Sequence, residues 1–145
     1  MIFYIRNIAA TQEGFMNGQL IIHIVIMSAG IILLAIGAFI GATDKGEKKL
    51  SLHKAFGILG TLVFLIGAIG LLITGNLRMN LAHFYLALAA VLFLILSIIG
   101  GIAYTKADTS KKSGLRKSHK ADVAIAFFLI LITMIFGITS IKLLK

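Results

Sequence analysis

The 145-residue chain has no cysteine and no proline, and only five acidic residues against fourteen Lys and Arg. Without cysteine it can form no disulfide, no thioether-attached haem, no iron–sulfur cluster and no thiolate metal site. Without proline, none of its helices is proline-kinked. Charge is absent where ion movement would need it: 55–77, 81–105 and 123–141 contain no Asp, Glu, Lys or Arg. Proton relays and ion pathways through membranes use such groups, so the sequence reads as neither a pump nor an ion channel.

What the chain has in abundance is apolar surface. Hydrophobic residues make up 59% of it, charged residues 13%, and the mean hydropathy is +1.05. Four runs, at about 18–42, 50–75, 80–104 and 121–143, reach the roughly 20 residues that a helix needs to cross a hydrocarbon core. They lack the two-residue alternation of a barrel strand. The expected fold is therefore all-α: a polytopic membrane protein with an antiparallel four-helix transmembrane bundle over 18–145. The first run exceeds the ~7–15 apolar residues of a signal peptide and reads as a retained span. Ahead of it, residues 1–17, with Phe3, Tyr4, Ile5 and Phe15, read as a short outer N-terminal segment along the interface. Gly41 and Gly46, Gly75-Asn76 and Ser110 to Gly114 mark the connectors.

The net charge of +9 is distributed by topology. Lys45, Lys48, Lys49 and Lys54 lie around the first connector, and Lys106, Lys111, Lys112, Arg116, Lys117 and Lys120 around the third. The other side holds Arg6, Arg78, Lys142 and Lys145. The positive-inside rule makes the connector side cytoplasmic. The expectation is an integral protein of the cytoplasmic (inner) membrane with both termini outside, in contact with membrane lipid and not with nucleic acid.

The four histidines, His23, His53, His83 and His119, fall one to a span, each within the first turn or so of its expected helix. Because the spans alternate in direction, His23 and His83 fall near the outer face and His53 and His119 near the cytoplasmic face. Positions i+4, i+7 and i+14 share a helical face with i. Below His23 these are Met27, Gly30 and Gly37; below His53, Gly57, Gly60 and Gly67. Below His83 they are Ala87, Ala90 and Ser97; below His119, Val123, Ala126 and Thr133. Nearly all are small. Small residues in membrane helices permit close packing, but the same histidine-anchored pattern on every span also suits a flat macrocycle beside each ring. The i+14 position lies about 21 Å along the helix, at the depth of the histidine on the neighbouring span. Small residues there, Gly37, Gly67, Ser97 and Thr133, would make room for the second macrocycle.

Two imidazoles at one depth, with no carboxylate beside them, do not meet the three or four protein ligands of zinc. They do meet the two axial positions of a haem iron. The implied cofactors are two non-covalent b haems, one ligated by His23 and His83, the other by His53 and His119. Lys54 and Arg116, with Lys117 and Lys120, are candidate contacts inside for haem propionates or an anionic reductant, with topology and anionic lipid as the competing role; Arg78 and Asn80 are candidate propionate or quinone contacts outside.

These residues resemble the four-helix core of the cytochrome b561 family, including its ascorbate-reducible and DOMON-linked members. The resemblance covers about residues 20 to 140. It rests on His23-Ile-Val-Ile-Met27-Ser-Ala-Gly30, on Leu52-His53-Lys54-Ala55 followed by Gly57 and Gly60, on Ala82-His83 through Ser97 to Gly100-Gly101, and on Arg116-Lys117-Ser118-His119 with Gly137. It implies two haems held by alternate helices and a role in transmembrane electron transfer. The expectation is electron movement between a quinol pool or a cytoplasmic reductant and an outer acceptor, or service as the membrane subunit of a larger redox complex, with an outer or periplasmic haem protein as partner. The alternative is a non-redox membrane protein that binds pigment or metal, or a structural accessory subunit.

Overall fold

The computed structural model describes residues 2–43, 47–73 and 82–142. They form four helices: α1 (Ile2–Thr43), α2 (Glu47–Ile73), α3 (Ala82–Lys106) and α4 (Thr109–Lys142). There is no strand among the described residues. All four helices are long and apolar enough to cross a membrane. Only 17–22% of each apolar window is buried inside the protein, so most of the Leu, Ile and Phe surface faces outward. Ile21, Val25 and Ile32 on α1 and Phe128, Leu131 and Ile135 on α4 are examples. An apolar exterior of this extent is solvated by lipid tails, and the chain is an integral membrane protein.

Two boundaries differ from the sequence expectation. Residues 2–17 are not a separate element, because α1 runs unbroken from Ile2 to Thr43. No proline interrupts it, and Ala9-Ala10 and Gln12-Glu13 are good helix formers. At 1.5 Å per residue its 42 residues exceed a ~30 Å core about twofold.

The third connector is also far shorter than expected. Ala107 and Asp108 alone separate α3 from α4, and Ser110 to Gly114 lie inside α4. The Asp108 carbonyl accepts from the amides of Lys111 (3.0 Å) and Lys112 (3.2 Å), closing the first turn. Lys, Leu and Arg then propagate the helix at a cost of only about 1 kcal/mol for Gly114. His119 is consequently in the third turn of α4 rather than the first, and His23 lies well inside α1. Gly46, Gly75-Asn76, Arg78 and Asn80 fall outside the described residues.

The chain divides into two compact units, Met1–Leu77 and Arg78–Lys145. In the first, α1 packs antiparallel on α2; in the second, α3 packs antiparallel on α4. Each helix buries one narrow stripe, at the same offsets from its histidine. These are Gly30, Leu34 and Gly37 on α1; Gly60, Phe64 and Gly67 on α2; Ala90, Leu94 and Ser97 on α3; and Ala126, Ile130 and Thr133 on α4. Every stripe thus sits 7, 11 and 14 residues past the histidine, which is one helical face.

Close packing explains the small members of the stripe. Lipid tails are as apolar as leucine, so helices in a membrane associate through van der Waals fit and interhelical hydrogen bonds. A Cβ on Gly30 would stand 2.9 Å from the Phe64 nitrogen, and one on Gly60 2.8 Å from the Leu34 nitrogen. The two contacts are reciprocal: the small residue at +7 of one helix admits the backbone at +11 of the other. The space left by the missing side chains at Gly30 and Gly60 is therefore filled by the neighbouring helix.

Candidate histidine ligand sites

Each histidine ring reaches across its hairpin to a main-chain carbonyl. Nδ1 of His23 lies 3.0 Å from the Gly67 oxygen, and Nδ1 of His53 lies 2.7 Å from that of Gly37. Nδ1 of His83 lies 2.9 Å from the Thr133 oxygen, and Nδ1 of His119 lies 2.8 Å from that of Ser97. The acceptors are the four i+14 positions, taken reciprocally within each pair. That the i+14 residue shares the depth of the neighbouring histidine is thus shown for both hairpins. The residue itself is buried in the helix contact while its carbonyl holds the ring.

Because a carbonyl can only accept, Nδ1 must donate, and the neutral ring then carries its lone pair on Nε2. Metal-ligating histidines are usually arranged this way, with the other ring nitrogen donating to a carbonyl or carboxylate that fixes the tautomer and the ring plane. Interhelical hydrogen bonds in membranes contribute only about 0.6 kcal/mol on average. These four therefore orient the rings more than they stabilise the fold.

Glycines one turn beyond the acceptors shape the ring seats. A Cβ on Gly41 would lie 2.5 Å from Nδ1 of His53, one on Gly137 3.0 Å from Cε1 of His83, and one on Gly101 3.5 Å from Cε1 of His119. All three stand 18 residues past a histidine, an offset that the sequence reading stopped short of; extending the same helical face by one turn would have found them. The large buried members at +11, Leu34, Phe64, Leu94 and Ile130, were also missed, because nothing sets them apart from neighbouring apolar residues.

The other candidates vary. Met27 lies over Gly67, its sulfur 2.7 Å from where a Cβ would stand, and Gly57 has nothing within 4 Å of that point. Ala87 and Val123 are half-buried and Lys54 is exposed. The hydroxyls of Ser97 and Thr133 bond back to Leu94 and Leu129 of their own helices. Arg116 lines a basic cavity with Lys117 and Lys120.

Within a hairpin, the two rings cannot share a metal. His23 is level with Gly67, which lies fourteen residues from His53 on α2, or about 21 Å. The same holds for His83 and His119 through Thr133. Each hairpin presents one imidazole at each end, and no group of three or more His, Asp or Glu side chains converges among the described residues. No family profile, curated protein or solved structure matches the chain.

Proposed function

We propose that the chain is a transmembrane electron-transfer cytochrome of the b561 type, carrying two non-covalent b haems with bis-histidine ligation. The observation that supports this best is the set of four equivalent rings, each oriented by a carbonyl and each with its lone pair on Nε2. Each hairpin presents one imidazole at each end. By the alternation of the spans, the pairs are His23 with His83 and His53 with His119. Neutral imidazoles without thiolate or carboxylate are the donor set of a low-spin b haem.

When bound, haem supplies one-electron chemistry between its ferric and ferrous states. The chain's own contribution is to hold each imidazole in one tautomer and plane and to surround it with apolar spans that exclude water. The excess of basic residues around the two connectors supports a cytoplasmic location for that side and an outer location for the termini. A quinol or cytoplasmic reductant as donor, and an outer acceptor or partner redox subunit, such as an outer haem protein, complete the reading.

A dithionite-reduced minus oxidised spectrum of the purified chain, with haem quantified per polypeptide, tests it. The expected result is the α and β bands of low-spin b haem at two haems per chain. The ring-to-carbonyl bonds would equally serve a cofactor-free packing role; a colourless protein after haem-replete expression selects that role and rejects the cytochrome.

A further inference from the structure

We infer that the α3–α4 end binds the headgroup of an anionic phospholipid. Within the second unit a cavity of about 430 Å³ is lined by Tyr104 from the end of α3 and by Lys112, Ser113, Arg116, Lys117 and Lys120 from the start of α4. Four cations and two hydroxyls face it, with no carboxylate in the lining. Lys112, Arg116 and Lys120 recur every fourth residue and so share one face of the helix, where like charges repel. Lys112 also lies in the first turn of α4, where the macrodipole disfavours positive charge, with Asp108 ahead of the helix as the one acid at that end. None of the four cations is held in an ion pair among the described residues. An anion seated in the cavity relieves the repulsion among these cations.

The position of the cavity selects a lipid over a soluble anion. It opens where two spans leave the apolar core: the uncharged stretch of α4 begins just after Asp122, and that of α3 ends at Thr105. On the same helical faces, Phe93, eleven residues before Tyr104 on α3, and Phe127 and Leu131, seven and eleven after Lys120 on α4, continue into the spans, Leu131 exposed and the two phenylalanines half-buried. A phospholipid offers phosphate at the cavity and acyl chains at these side chains together, whereas a free anion offers only the first. Basic pockets between membrane helices recognise acidic headgroups in this way. The inference rests on the membrane character of the chain and is independent of haem binding.

The test is native mass spectrometry of the full chain extracted into mild detergent from vesicles of phosphatidylcholine and phosphatidylglycerol. The wild type is expected to retain phosphatidylglycerol selectively. The K112Q/R116Q/K120Q variant should lose that retention about tenfold or more, since each basic residue near an acidic surface contributes on the order of a fivefold factor. A control with the same charge loss elsewhere, K48Q/K49Q/K111Q, should retain it. Equal loss in the control would reduce the effect to general charge and overturn the site. Displacement of the lipid by excess inorganic phosphate would overturn the lipid in favour of a soluble anion. Unchanged lipid with a lowered haem content in the cavity variant would assign the cations to haem carboxylates instead.

Discussion

The ring of His53 donates through Nδ1 to the carbonyl of Gly37, 2.7 Å away, and Gly37 stands fourteen residues after His23, whose own ring donates to the residue fourteen after His53. This exchange gives the α1–α2 hairpin an approximate two-fold relation between its helices. The α3–α4 hairpin repeats it at His83, Ser97, His119 and Thr133. One helix pattern, used four times, builds four ring-to-carbonyl bonds.

The tautomer follows directly from these bonds. In haem-free protein, nitrogen-15 spectra of labelled histidine are expected to show the neutral form of each ring protonated at Nδ1. Signals for rings protonated at Nε2 would remove the physical basis of the ligand assignment.

Ligand pairing is tested by substitution. His23→Ala and His83→Ala should each abolish the same haem, and His53→Ala and His119→Ala the other, read as loss of one of two low-spin haem signals in electron paramagnetic resonance. Four distinct patterns of loss would contradict shared sites.

The helix contact predicts a graded response at glycine. Gly30→Leu or Gly60→Leu places side-chain atoms where a neighbouring backbone already stands, and overpacking of this kind costs about 1–3 kcal/mol or more. A lower Tm in detergent is expected for both. Gly57→Ala, with nothing within 4 Å of the added carbon, should leave Tm unchanged or raised by removing a mid-helix glycine. Equal effects at positions 30 and 57 would argue against the packing described.

The ring seats give a second series. Gly41→Ala brings a Cβ to 2.5 Å of the His53 ring and must displace it, Gly137→Ala at 3.0 Å presses on His83, and Gly101→Ala at 3.5 Å meets His119 in ordinary contact. The histidine chemical shifts should move in that order, most for Gly41→Ala and least for Gly101→Ala. A reversed order would mean that the glycines do not shape the seats.

The four spans, the all-α class and the single histidine on each span were legible in the sequence, because each depends on local composition and helical period alone. The offsets +7 and +14 were legible as small, but small residues serve both macrocycles and close helix contacts, and only packing distinguishes them: the Phe64 backbone occupies the space beside Gly30. The start of α4 was misplaced because Ser110 to Gly114 have the composition of a loop, whereas the amides of Lys111 and Lys112 bond the Asp108 carbonyl and close a helical turn there. The i+14 rule set the depth at which each neighbouring histidine would lie. That the ring bonds the carbonyl there, and so points its lone pair away through Nε2, was decided by the register of two helices brought together by tertiary packing, which no single helix encodes.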